Sequence, residues 1–176
     1  LWNYEKMTSI FKKGKLFFSS RNNGLQNQAV LYSQANLLDN PTVVLDPNLL
    51  SKDGTTSLSG MSISKDGTYL AYGVSKAGSD WVEIHVKNIA TKEDLKDVIQ
   101  WVKFSDMSWK GNGFYYSRYD APIGDKAFTQ KNEFHKVYYH TIGKSQSEDI
   151  LVYEDKEHAN RNFSAQVTHD ENYLVI

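Results

Sequence analysis

Hydrophobic and polar residues alternate in short segments along the chain, and tight turns separate these segments. Residues 61–72 read Met-Ser-Ile-Ser, then Lys-Asp-Gly-Thr, then Tyr-Leu-Ala-Tyr. Alternation with a period of two on both sides of an Asp-Gly pair predicts a β-hairpin, because glycine readily adopts the positive φ that such a turn requires. The same frame recurs at residues 107–116 and 165–174, and a weaker copy lies at residues 11–18.

A second pair of short strands is predicted after two of these hairpins. Residues 82–87 and 97–100 form such a pair, and residues 136–140 and 149–153 form the next. Four strands in a unit of about 50 residues are typical of a β-propeller blade. The sequence therefore predicts an all-β fold, a partial β-propeller of four-stranded antiparallel blades. A generic antiparallel meander is the alternative, because Asp-Gly turns are common.

Two stretches interrupt the strand pattern. Thr91–Lys96 begins with a possible helix cap, but it is one turn long and mostly charged, so we expect a loop between the third and fourth strands of a blade. Residues 117–133 are polar and contain Pro122 and Gly124, which predicts a surface loop.

The repeat length sets the expected domain organisation. At about 50 residues per blade, the 176 residues make about three and a half blades, fewer than a closed ring uses. The chain starts without Met, and its last hairpin stops within the second strand. We therefore expect residues 1–176 to be an incomplete propeller domain within a larger protein.

Composition narrows the function classes. With 40% hydrophobic and 23% charged residues, the chain should fold into an ordered globular structure. Twenty basic and 21 acidic residues give a net charge of −1, so neither nucleic acid nor an anionic membrane is an expected partner. A mean hydropathy of −0.56 agrees with a chain that has no membrane span. The absence of cysteine excludes disulfides and thiolate zinc sites.

The common catalytic and cofactor-binding motifs are absent from the sequence. The pentapeptide Gly-x-Ser-x-Gly, which places a nucleophilic serine on a tight turn, does not occur. Gly143-Lys144-Ser145 resembles the end of a phosphate-binding loop, but Tyr138 stands where that loop needs glycine. An offset of five on a strand places His135 and His140 on opposite faces, which argues against a metal pair. We expect no catalytic residue, no metal and no cofactor in these residues.

Several longer segments are too particular to follow from the repeat frame alone. They are residues 11–15, 23–32, 45–55, 71–73, 78–82, 102–105, 138–140 and 146–151. In order and spacing these segments resemble the propeller of the prolyl oligopeptidase family of serine peptidases. The resemblance extends from Trp2 to about Val152, and the remainder follows the repeat frame alone.

This resemblance implies a serine endopeptidase that cleaves after proline in short peptides. In that family a seven-bladed propeller caps an α/β-hydrolase domain, which carries the nucleophile, the acid and the histidine. The propeller covers the active site and restricts entry by size. The implied partners are short proline-containing peptides and the hydrolase domain of the same protein, and the 176-residue chain alone is expected to be inactive. The compartment, cytoplasmic or periplasmic, stays open.

Two other functions agree with propeller periodicity alone. One is a WD-type interaction scaffold without peptidase activity. The other is a glycan-acting propeller, which would need convergent carboxylates and a groove of exposed aromatic residues. A Gly-x-Ser-x-Gly-Gly sequence further along the full coding sequence would favour the peptidase.

The candidate substrate-pocket residues are Phe104 and Asn162. Leu58, Phe104 and Asn162 lie three positions before Met61, Met107 and Ala165, respectively. Because the latter residues begin or precede the innermost strands, we expect Leu58, Phe104 and Asn162 around the mouth of the channel. The resemblance implies that Phe104 lines an apolar pocket next to the proline site. Asn162 stands at the position where the family often has methionine. The alternative is that Phe104 packs between blades.

Overall fold

The computed structural model of the protein describes residues 3–122 and 131–176. In this part of the chain every sheet is antiparallel. Among the described residues, helix is limited to two short 3-10 turns, Pro47–Leu49 and Gln146–Glu148, and neither could span a lipid bilayer. The all-β prediction is confirmed.

The first blade contains β1 (Lys6–Met7), β2 (Phe11–Lys13), β3 (Leu16–Asn22), β4 (Val30–Gln34) and β5 (Thr42–Leu45). The first strand of this blade is interrupted, because the two short strands β1 and β2 both pair with β3.

The second and third blades are complete four-stranded meanders. The second contains β6 (Thr56–Ile63), β7 (Tyr69–Lys76), β8 (Val82–Asn88) and β9 (Asp94–Val102). The third contains β10 (Ser108–Lys110), β11 (Gly113–Arg118), β12 (Lys136–Thr141) and β13 (Ile150–Glu154). A final hairpin, β14 (Gln166–Val167) with β15 (Leu174–Val175), begins a fourth unit.

Two loop predictions were partly wrong. Asp94–Lys96 belongs to β9, because Asn88 closes a shorter turn by accepting hydrogen bonds from the backbone N–H groups of Ala90 and Thr91. The loop predicted over residues 117–133 starts too early, since β11 continues to Arg118, which pairs with Lys136. Residues 123–130 of that loop lie outside the described residues.

The hydrophobic cores lie between neighbouring blades. Phe18 and Leu31 of blade 1 belong to one core with Leu70 of blade 2. Ala71, next to Leu70 on the same strand, belongs to a second core with Phe114 of blade 3. Because successive strand residues point to opposite faces, β7 contributes to both cores.

The first strands of successive blades lie side by side. Trp109 Nε1–H donates to the carbonyl of Ser62 at 3.0 Å, and Val167 N–H donates to Ser108 Oγ at 2.9 Å. Between these strands is a space of about 750 Å³, which the first strands of blades 1 to 3 and the final hairpin line together. This space is the described part of the central channel.

Strand β13 leaves a continuous run of apolar side chains exposed. Ile150 is 61% exposed, and the next three residues are also exposed. An apolar edge strand offers unpaired backbone groups and hydrophobic surface to another chain. The 176-residue polypeptide is therefore expected to self-associate through β13.

A charge on β13 should weaken this association. Ile150→Lys is expected to shift the polypeptide towards monomer, whereas Leu38→Lys, at a fully exposed loop position, should not. Sedimentation velocity over a range of protein concentrations measures the difference. Monomeric wild-type polypeptide at every concentration would refute this prediction.

Candidate functional site on the front face

The end of the blades at which the first strands begin is called the front face here. It includes Leu58 in β6, Phe104 after β9 and Asn162 before β14. Since β7 returns to this end and β9 finishes there, the turn at residues 77–81 also lies on the front face. The three predicted positions therefore share one end of the blades.

Phe104 projects from the chain just after β9 ends. Its φ of +53° is uncommon for a residue with a bulky side chain, and its exposed fraction is 62%. The buried residue Val102 anchors the strand two positions earlier. Phe104 is thus outside both cores and exposed at the end of β9.

A cavity of about 480 Å³ lies beside Phe104 on blade 2. Leu58 also lines it, together with several serine hydroxyls and the aliphatic side chains of Val82 and Val102. Asn162 is not among its lining residues. The structure brings Phe104 and Leu58 to one pocket and leaves Asn162 apart.

Lys103 places a positive charge next to this pocket. Its ammonium lies 5.5 Å from the ring centre of Phe104, 5.2 Å from that of Trp81 and 3.3 Å from Asp80 Oδ2. A cation over an aromatic face is attracted by the electrons of the ring. Lys103 therefore helps to fix the Phe104 ring, which lines the pocket, and the ring of Trp81.

His135 links the segments that carry Phe104 and Asn162. The backbone N–H of Phe163 donates to Nδ1 of His135 at 3.0 Å, so the proton of the neutral ring is on Nε2, which lies 2.9 Å from the carbonyl of Lys103. Burial lowers the pKa of His135, and the bond to Lys103 opposes this shift only in part. The buried ring is neutral and acts as a bridge.

Asn162 is held by a tyrosine from the preceding blade. The hydroxyl of Tyr119 donates to Asn162 Oδ1 at 2.6 Å, and the Tyr119 ring lies 4.6 Å from the ring of His135. Sequence reasoning missed both His135 and Tyr119. Their partners are distant in the sequence, and no local pattern marks them.

His140 has different partners from His135. Its Nδ1 lies 2.7 Å from Asp149 Oδ1, and its Nε2 lies 2.9 Å from Asp97 Oδ1. Burial alone would lower the pKa of His140, but hydrogen bonds and attraction to the two carboxylates outweigh it and raise the pKa. Since Asp97 belongs to β9 of blade 2, this buried group joins blades 2 and 3.

Comparison with known proteins identifies the family. A family model described as the prolyl oligopeptidase N-terminal beta-propeller domain matches residues 1–176. The chain therefore belongs to the propeller domain of the prolyl oligopeptidase family.

Individual relatives agree with this assignment. The chain is 44% identical over 177 residues to a prolyl endopeptidase of Elizabethkingia meningoseptica, a match that covers 100% of this chain and 25% of the relative. It is 39% identical to prolyl oligopeptidase A of Galerina marginata, covering 88% of this chain and 25% of that protein. The chain spans about a quarter of the length of these relatives.

A solved structure shows the same fold. Prolyl oligopeptidase B from Galerina marginata, bound to a 25mer macrocyclization substrate, superposes with a TM-score of 0.90 at 31% identity. The match covers 98% of this chain and 27% of that one. These matches do not favour a WD-type scaffold without peptidase activity.

Proposed function

We propose that the whole protein is a serine endopeptidase that cleaves after proline in short peptides. The propeller described above would cover the active site of an α/β-hydrolase domain in the same protein and select substrates by size. The family assignment supports the reaction class, because the relatives named above are prolyl endopeptidases and oligopeptidases. The exposed ring of Phe104 beside its pocket is the observation that carries the proposal for this chain.

The far end of the channel supports a size filter. Lys65, at the hairpin turn of blade 2, lies 3.1 Å from Glu171 of the final hairpin and donates to the carbonyl of His169, also at 3.1 Å. These contacts extend across the space between the first strands. Side chains that meet across the channel would narrow it, which would favour extended peptides over folded domains.

Phe104 is proposed to contact the substrate residue that precedes proline, and Asn162 is proposed as a second substrate-facing residue. Leu58 and Val82 add apolar contacts beside the Phe104 ring in a pocket that serine hydroxyls also line, so a bulky side chain would find its apolar contact at this ring. Asn162 is exposed on the same face, with its amide oxygen engaged by Tyr119.

Removing the Phe104 ring tests this proposal in the full-length protein. Full burial of a phenylalanine is worth about 1.5–3 kcal/mol, so Phe104→Ala should lower kcat/KM about tenfold or more for peptides with a bulky residue before proline. The melting temperature should change little, since the ring is exposed.

The matched control is Phe134→Ala. Phe134 is also exposed and has a φ of +58°, but it does not line the pocket. Steady-state hydrolysis of fluorogenic peptides provides the measurement. A large drop in melting temperature with unchanged kcat/KM would show that Phe104 is a packing residue. Failure of the wild-type protein to cleave after proline would refute the reaction class.

A further inference from the structure

A second cavity lies on the front face of blade 2, next to the Phe104 pocket. It has a volume of about 440 Å³ and is bordered by the rings of Trp81 and Trp101. Ser79 and Val82 line both cavities, so the two are adjacent. We call this second cavity the tryptophan cleft.

The backbone at Trp101 is held in an unfavourable conformation. Its φ is +62°, although it lies within β9 and carries a bulky side chain. Such a conformation persists only where the surroundings impose it. The backbone N–H of Tyr119 donates to the Trp101 carbonyl at 3.1 Å, which holds this geometry. The result is an indole that borders the cleft rather than a blade core.

The two indoles form a corner. Their ring centres are 5.7 Å apart and their planes meet at 86°. The ammonium of Lys103 lies over the Trp81 ring. The Tyr119 ring packs edge-on against the same Trp81 ring, with 6.2 Å between the ring centres. Two aromatic surfaces at a right angle can contact a small ring from two sides.

The charged groups at the rim are paired with each other. Glu83 lies 2.7 Å from the ammonium of Lys76 and accepts a hydrogen bond from Gln100 at 3.3 Å. The remaining walls include Val74 and Ala77. With its charges neutralised, the cleft suits an uncharged apolar group.

We infer that the tryptophan cleft is a second peptide subsite, which accepts a proline or aromatic side chain of an extended substrate. The inference rests on the proposed function, because its occupant is the same peptide whose nearer residue contacts Phe104. Aromatic grooves recognise proline-rich segments, since the proline ring packs flat on an indole and is already ordered before binding. Because the cleft is adjacent to the Phe104 pocket, the residue that it accepts would lie further along the same peptide.

The test uses the full-length protein and Trp101→Gly. Glycine adopts a φ of +62° without a steric penalty, so this change removes the indole ring and also the backbone strain. Lys92→Gly is the matched control, because Lys92 has a φ of +64° and lies in an exposed turn away from the cleft. If Trp101→Gly fails to fold, Trp101→Asn is used, since asparagine tolerates the same backbone region.

Three sets of peptides distinguish the outcomes. One is short, one carries extensions of glycine and serine on either side, and one has proline or tryptophan in those extensions. Trp101→Gly should lower kcat/KM about five- to tenfold for the third set alone, the loss of one aromatic contact. Lys92→Gly should leave all three sets unchanged.

Other results would overturn the inference. Equal losses on all three sets would mean that the cleft supports the hydrolase domain or the fold. No loss on any set, or a change in oligomeric state with Trp101→Gly, would also refute it. Phe104→Ala, measured on the short peptides in parallel, tests the proposed function by itself, so failure of one proposal is distinguishable from failure of the other.

Discussion

Replacing His140 by phenylalanine is expected to lower the free energy of unfolding by about 3–5 kcal/mol, the range for removing one partner of a buried ion pair. The side chain of His140 is fully buried between two carboxylates, which are themselves almost fully buried. Phenylalanine has a similar size but cannot donate to either carboxylate. Asp97 and Asp149 would then face each other without a positive charge between them.

The remaining hydrogen bonds of these carboxylates do not replace the imidazolium. Gly143 N–H donates to Asp97 at 2.6 Å, and the Tyr116 hydroxyl donates to Asp149 at 2.7 Å. Urea unfolding of the full-length protein, followed by tryptophan fluorescence, measures the loss. Adding Asp97→Asn to His140→Phe should recover part of it, because one buried charge is removed. A midpoint unchanged by His140→Phe would contradict the prediction.

The effect of His140 should also depend on pH. Because the folded state raises the pKa of His140, its contribution is fully present below its unfolded value of about 6.5 and is lost as the pH rises through the folded value. The difference in stability between wild type and His140→Phe should therefore shrink as the pH is raised above about 6.5. Burial lowers the pKa values of His85 and His135, so their contributions to stability change with pH in the opposite direction to that of His140. Since both residues are present in the wild type and in the variant, their contributions cancel in this difference. A difference that grew with pH would refute the assignment.

Gly14→Ala is expected to destabilise the protein by about 1–3 kcal/mol more than Gly111→Ala, the usual cost of overpacking. Both glycines lie in hairpin turns and have nearly the same φ, +55° and +57°. Both substitutions therefore carry the same backbone penalty. A Cβ at Gly14 would lie 1.8 Å from the carbonyl oxygen of Asp66 in the next blade. A Cβ at Gly111 would lie 4.0 Å from the hydroxyl oxygen of Tyr139, an ordinary contact distance.

The difference between the two variants isolates the contact between blades 1 and 2. Gly14 N–H also donates to the carbonyl of Lys65 at 2.9 Å, a bond that the displaced turn would lose. Urea midpoints of the two full-length variants, measured side by side, give the comparison. Equal losses would show that the turns of the two blades can move apart without cost.

The hairpins were predictable because their signal is local. Asp66 and Gly67 close the turn between β6 and β7, and alternation fixes which side chains face inward. The positions of the third and fourth strands of blades 2 and 3 were predictable from their spacing after each hairpin. The start of β9 did not, because the side chain of Asn88 shortens the preceding turn.

The candidate site was predictable only in part. The position of Phe104 on the front face followed from its offset to the first strand of the next blade. The bridge through His135 and the pairing of Tyr119 with Asn162 could not be predicted, since each joins residues from different blades. The backbone at Trp101 gives no sequence signal, because tryptophan rarely adopts a positive φ.

The seam between blades 2 and 3 has a consequence for how motion of the propeller would be observed. In residues 3–122 and 131–176, strand pairing across this seam is confined to Val102 and Arg118, next to the bond from Tyr119 N–H to Trp101. Nearly all other strand amides bond within their own blade. If the two blades separated, amide hydrogen exchange would barely change. The indole of Trp109, whose N–H donates to Ser62 across the seam, would lose its partner, so its fluorescence would report the opening directly.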